Sequence, residues 1–113
     1  MPKYILLFHE SPNLFKGLSA AEIQRIIQKF SDWRRQLEKD GRFVVGQKLR
    51  GDGRVLRRNG SQVSVTDGPY SEAKEVLGGY FLIHAEGYDA AVELARAYPL
   101  ENGAVEIREV EFE

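Results

Sequence analysis

The chain contains no cysteine, which excludes disulfide bonds, thiolate metal sites and a cysteine nucleophile. It also lacks an excess of either charge, since sixteen basic and seventeen acidic side chains leave a formal net charge of -1. That balance argues against direct contact with nucleic acid or an anionic membrane. Long apolar runs are missing as well: the N-terminal run Tyr4–Phe8 is too short for a signal peptide or a membrane span. We therefore expect a cytoplasmic protein.

The length of 113 residues predicts one domain, residues 1–113. A content of 42% hydrophobic and 29% charged residues is typical of a globular protein. A chain of this size buries about two-thirds of the surface that its unfolded form exposes. A second subunit would therefore add useful core.

Residues 20–40 carry the clearest helix pattern. Ser19 and Glu22 have the spacing of a capping box, in which each side chain accepts a hydrogen bond from the other residue's backbone N–H. Gly41 stands where a left-handed C-terminal cap is expected. The apolar face of this helix, which is more typical of a core than of a ligand platform, consists of Ile23, Ile26, Ile27, Phe30, Trp33 and Leu37.

Apolar runs and turn residues divide the rest of the chain into strands and one more helix. We expect the second helix at residues 88–97, where Pro99 ends it. Asn59-Gly60 predicts a two-residue hairpin turn that pairs Arg58 with Ser61. One face of this hairpin carries Leu56, Val63 and Val65. The predicted strands cover residues 4–8, 43–49, 54–58, 61–66, 79–85 and 104–112.

The order of the elements predicts the fold class. Without the hairpin, the order is the βαββαβ of a ferredoxin-like α+β fold, so we interpret the hairpin as an insertion. The last predicted strand is irregular. Val105 and Ile107 would face one side of it, whereas Val110 and Phe112 would face the other. This change predicts a β-bulge, or a strand that leaves its own sheet and reaches a second subunit.

The two interior strands carry apolar residues on both faces. Ile5 and Leu6 show this in the first strand, and Phe81 and Leu82 show it in the later one. Helices that cover one face of a four-stranded sheet leave its other face bare. A bare apolar face of this size predicts an interface. A symmetric homodimer is therefore the assembly that we expect.

His9 and His84 directly follow the two interior strands. We expect these strands to be parallel neighbours, which would bring both histidines to one edge of the sheet, where open sheets place ligands. Histidine is the natural general base near neutral pH, so His9 is a candidate catalytic residue and His84 a candidate ligand-binding residue. The alternative is that both are ordinary polar residues at strand ends. A metal site is not expected, because no third ligand is suitably spaced.

Residues 67–83, DGPYSEAKEVLGGYFLI, combine a turn, a charged segment, a double glycine and a buried strand. The turn either serves structure alone or presents Asp67 to a pocket as a catalytic group. The residues alone indicate that Lys74 and Glu75 form an exposed ion pair. Tyr70 and Tyr80 are ligand-binding candidates, of which Tyr80 would line a cavity between sheet and helix.

This segment resembles the signature of the YCII-related, or DGPF-domain, family of small bacterial proteins, D-G-P-[FY]-x-E-x-K-E-x-L-G-G-[YF]-[YF]. The opening KYILL and the closing VEIR are similar to the family as well, so the resemblance covers essentially the whole chain. It implies a dimeric α+β barrel, in which two sheets pack face to face. Because the family pattern keeps these residue types, it also implies that Lys74 and Glu75 are ligand-binding or interface groups. His84 stands where relatives often have aspartate. The His–Asp pair associated with the founding branch is not carried over, because the first helix holds Asp32 and no histidine.

The resemblance leaves two functions open. The wider barrel superfamily includes cofactor-free monooxygenases and lactone isomerases, which implies a small molecule in a pocket between sheet and helices, with His9 or Asp67 as the base and no cofactor. Relatives of the DGPF type also occur beside regulatory sigma factors, which implies a non-catalytic regulatory or partner-binding module. Convergence of His9, Asp67 and His84 around one apolar cavity would favour chemistry over binding.

Overall fold

The computed structural model describes residues 1–68 and 75–112. These residues form an α+β structure with two helices and six strands. In chain order the elements are β1 (Lys3–Glu10), α1 (Ala20–Lys39), β2 (Phe43–Lys48), β3 (Gly53–Asn59), β4 (Gln62–Gly68), β5 (Val76–His84), α2 (Tyr88–Ala95) and β6 (Ala104–Glu109). The described helices are too short or too polar to span a bilayer.

Four of the strands form one sheet in the order β2-β5-β1-β6, while β3 and β4 form a separate hairpin. Each neighbouring pair is antiparallel, including β1 and β5. Our prediction that β1 and β5 run parallel is therefore wrong. The reason lies in the connections: α1 returns the chain so that β2 runs in the direction of β1, and β5 then runs back beside both.

The two faces of the sheet differ in burial. Along β1, the side chains of Tyr4, Leu6, Phe8 and Glu10 are buried, and the residues between them are half-buried. The buried side chains face the helices, where Trp33 and Leu37 of α1 complete the core with Ala91 and Ala95 of α2. The opposite face, which we call the open face, carries Ile5, Leu7, Val45, Tyr80 and Leu82, paired across the strands. Among the described elements, the helices pack on the other face, and the β3–β4 hairpin packs closely on no strand of this sheet.

The position and the N-terminal cap of the long helix α1 are as predicted. Glu22 N donates to Ser19 Oγ at 3.1 Å and Ser19 N donates to Glu22 Oε1 at 3.3 Å, so the capping box is complete. Gly41 has a φ of +72°, the left-handed conformation expected after the helix end. The apolar stripe is not buried along its whole length, because Ile27 remains 45% exposed.

The hairpin differs from its prediction in register. Asn59 pairs with Gln62 and Arg58 with Val63, so the turn is centred on Gly60-Ser61 and the predicted pairing of Arg58 with Ser61 is wrong. Gly60 has a φ of +62° and stands first in the turn, as in Gly-X hairpin turns. Each residue of β3 pairs two residues further along β4 than predicted. Because side chains alternate between the two faces of a strand, this shift leaves every side chain on its predicted face. Leu56, Val63 and Val65 therefore share one face, as predicted, and all three are exposed.

The C-terminal strand β6 is regular. Its register with β1 runs without interruption from Ala104 to Glu109, so no bulge accounts for the change of parity. Val110 still donates its backbone N–H to Lys3 O at 2.9 Å, but the strand has ended by then. Phe112 is 82% exposed. The parity change thus coincides with the end of the strand rather than with an irregularity inside it.

Candidate functional site

A cavity of about 420 Å³ lies between α1 and the helix-facing side of the sheet. Its walls are mainly apolar, as in most pockets for small molecules. The apolar lining consists of Phe8 and Phe81 from the sheet, Ile26, Ile27 and Phe30 from α1, and Leu14 and Phe15 from the segment before α1. The polar lining includes Glu10, Ser31, Arg34, Gln47 and Lys48.

Glu10 is the buried charged residue of the described chain, with 6% of its surface exposed. It ends β1 and has the same parity as Phe8, so its side chain faces the cavity. Its Oε1 accepts a hydrogen bond from Lys48 Nζ at 2.9 Å, and Lys48 is largely exposed. A buried carboxylate requires such a partner, because removing its charge from water is costly.

The double glycine of the sequence motif creates the space for this carboxylate. β5 has a bulge opposite Phe8 and His9, and Gly78 is the extra residue in it. A Cβ atom built on Gly78 would coincide with the Glu10 carboxylate group. Any side chain at position 78 would therefore expel Glu10 from its present position.

Aromatic rings form the floor of the cavity and continue into the core. Phe8 is central: its ring centroid lies 5.1 Å from that of Phe81, 5.9 Å from that of Phe30 and 5.7 Å from that of Trp33. Trp33 is buried and donates its indole N–H to Leu94 O at 3.2 Å, which confirms its predicted core role. Phe30 packs against the core and also lines the cavity.

Tyr98 stacks on Phe8 at 5.3 Å and carries a buried hydroxyl group without a hydrogen-bond partner among the described residues. Burial raises the pKa of Tyr98 to about 12, and the nearby carboxylates of Glu10 and Glu75 contribute to the rise. The group therefore stays protonated at neutral pH.

We expect Tyr98→Phe to change alkaline stability more than neutral stability. Because the pKa of Tyr98 is raised in the folded protein, the unfolded chain loses this proton first as the pH rises from about 10 towards 12, and folding is weakened there. At pH 7 the variant should be as stable as the wild type or slightly more stable, because it no longer buries an unpaired hydroxyl. Urea unfolding from pH 7 to pH 11 measures the difference in stability, which should grow in favour of the variant above about pH 10.

The structure separates the two candidate histidines. Because β1 and β5 are antiparallel, His84 pairs with Lys3 at one end of the sheet and His9 pairs with Leu77 at the other. His9 Nε2 lies 2.9 Å from Glu106 Oε1 on the open face. His84 Nδ1 is buried without a hydrogen-bond partner in the described part of the chain. The expected shared edge is therefore wrong, and neither histidine lines the cavity.

The remaining candidates are also dispersed. Asp67 lies in β4 of the hairpin, where its side chain is 92% exposed and forms an ion pair with Arg54 at 3.3 Å. Tyr80 pairs with Leu7 on the open face, so its predicted place in the cavity is wrong. Glu75 is exposed and acts on Tyr98 through its charge. Tyr70 and Lys74 lie outside the described residues.

Sequence reasoning missed Glu10 and Lys48. A signal for Glu10 was present, because it continues the buried parity of Tyr4, Leu6 and Phe8 by one more step. Lys48 gave no comparable signal, since an exposed lysine at the end of a strand is common. Among residues 1–68 and 75–112, no group of three acidic, histidine or cysteine side chains is arranged to hold a metal ion.

Comparison with known proteins places the chain in a family. The family model of the YCII-related domain matches residues 3–112, and the chain therefore belongs to the YCII-related family. A relative in Rhizobium meliloti (strain 1021), the uncharacterized protein R00369, is 27% identical over 110 residues. That alignment covers 93% of this chain and 89% of the relative.

Proposed function

We propose that this member of the YCII-related family is a homodimer that binds a small molecule in the cavity between its sheet and α1. The observation that carries the proposal is the cavity itself, with its aromatic floor and, at one side, the buried Glu10 paired with the exposed Lys48. Pockets of this size with apolar walls and a few polar groups are typical binding sites. The strand order β2-β5-β1-β6 supports a ferredoxin-like fold, and the apolar open face supports its packing as a dimeric α+β barrel.

The residues that line the cavity favour ligand binding over catalysis. The acid/base residues predicted from the sequence, His9 and Asp67, do not line the cavity. Glu10 does, but its carboxylate is engaged by Lys48. The arrangement therefore supports recognition of a ligand, and any proton transfer in the cavity would have to use Glu10.

The second candidate function, a partner-binding module, is favoured by the hairpin. Leu56 and Val65 are opposite each other on one hairpin face and are 61% and 57% exposed. Exposed apolar clusters on projecting strands are typical contact surfaces for other proteins. A binding experiment that maps the contacted residues distinguishes the two functions.

The test of ligand binding combines amide NMR with one variant that fills the cavity. We expect members of a fragment library to shift the signals of cavity residues such as Gly46, Gly79 and Phe81. Ile27→Trp should weaken the binding of these fragments at least about tenfold, because the larger side chain extends from an exposed position into the cavity.

Val92→Trp is the matched control, since Val92 is an exposed apolar residue of α2 that does not line the cavity. It should leave fragment affinity unchanged. Fragment shifts confined to the hairpin or the open face, or equal affinities for the wild type and Ile27→Trp, would contradict a ligand site between α1 and the sheet.

A further inference from the structure

The chemistry of the cavity narrows the kind of ligand that it accepts, if the proposed function holds. We propose that the ligand is an uncharged molecule with an apolar body and one hydrogen-bond donor, a hydroxyl or an N–H group, which binds the carboxylate of Glu10. The cations of the cavity, the acceptor capacity of Glu10 and the balance of charge each support this assignment.

The cations that line the cavity are already engaged. Lys48 Nζ donates to Glu10 Oε1 at 2.9 Å, to Leu49 O at 3.1 Å and to Gly78 O at 3.1 Å. An ammonium group has three donors, so these bonds use all of them. Arg34 is half exposed, binds Glu38 at 3.2 Å, and holds its guanidinium 4.5 Å from the Phe43 ring centroid. Solvent screens its charge, so an anionic ligand gains little here.

Glu10, in contrast, keeps acceptor capacity. A carboxylate has two oxygens with about four acceptor positions. Among the described residues, Lys48 supplies the hydrogen bond to this side chain, and it goes to Oε1. A ligand donor that reaches Oε2 would add a second hydrogen bond to this carboxylate. Hydrogen bonds to a charged acceptor are also among the stronger ones.

The charge balance favours an uncharged ligand. Glu10 and Lys48 neutralise each other, so the cavity offers no net charge to either kind of ion. A carboxylate ligand would lose its water between apolar walls without a free counter-charge, and an ammonium ligand would meet Lys48. The walls suit an aromatic or alicyclic body, because Phe8, Phe30 and Phe81 line the cavity together.

Four probes with one shared body test this assignment: phenylbutanol, phenylbutyl methyl ether, phenylbutyrate and phenylbutylamine. Titrations monitored by amide NMR give their dissociation constants. We expect phenylbutanol to bind about tenfold more tightly than the ether, which lacks the donor, and more tightly than either ion.

Glu10→Gln should remove most of the preference for the alcohol over the ether. The affinity for the ether should stay the same, which also shows that the variant cavity is intact. Equal binding of alcohol and ether by the wild type, tighter binding of either ion, or an unchanged preference in Glu10→Gln would overturn this assignment and leave the proposed ligand site standing. Failure of all four probes to bind the wild type would overturn both.

Discussion

Gly78→Ala is expected to lower the free energy of unfolding by about 2–3 kcal/mol, although it adds a single methyl group. The reason is positional, since the new Cβ atom would occupy the place of the Glu10 carboxylate. Glu10 is buried and paired with Lys48, so it cannot move aside without losing its partner or distorting the bulge of β5. Chemical denaturation of the purified variant and of the wild type measures the difference.

Two further variants separate this cause from a general intolerance of alanine for glycine. Gly51→Ala should change stability by no more than about 0.5 kcal/mol, because a Cβ atom there meets no atom within 4 Å. When Glu10→Ala has emptied the space, adding Gly78→Ala should cost less than about 1 kcal/mol. Additive effects of the two substitutions would mean that the carboxylate and the glycine do not compete for space.

Leu82→Arg is expected to separate the proposed dimer into monomers. Leu82 lies in the middle of the open face, where it pairs with Ile5 on one side and Val45 on the other. In a dimer formed by these faces, each subunit would bury an arginine without a partner. Such a charge costs at least about 3 kcal/mol, which raises the dissociation constant more than about 100-fold.

Sedimentation or light scattering at micromolar concentration measures this effect. Val92→Arg is the control, since Val92 lies on α2, away from the open face, and is already exposed. It should leave the dimer intact. A wild-type protein that is monomeric under these conditions would contradict the dimer, and the open face would then have to be covered by another protein or remain in water.

The secondary structure could be predicted wherever interactions between residues close in the sequence determine it. The capping box of Ser19 and Glu22 and the left-handed Gly41 fix the ends of α1 within one residue, because hydrogen-bond chemistry between near neighbours determines them. The hairpin turn was misplaced by one position, since Asn59-Gly60 and Gly60-Ser61 are both suitable turn pairs. Local chemistry alone does not choose between them.

The candidate site could not be predicted, because it is formed by contacts between residues far apart in the sequence, and local patterns do not determine such contacts. The direction of β5 follows from the path of the chain through α1 and β2, and a wrong direction moved His84 to the wrong end of the sheet. The contact of Glu10 with Gly78 joins two strands through a bulge that no local pattern indicates. The double glycine is visible in the sequence, but the group that fills the space beside it is not.

The contact between Glu10 and Gly78 also has a consequence for the evolution of the family. The two positions share one volume, so a larger residue 78 is tolerated best after residue 10 has become shorter. A substitution path that shortens the acid first therefore costs less stability than one that replaces the glycine first. We therefore expect relatives that keep the acid at position 10 to keep glycine at position 78.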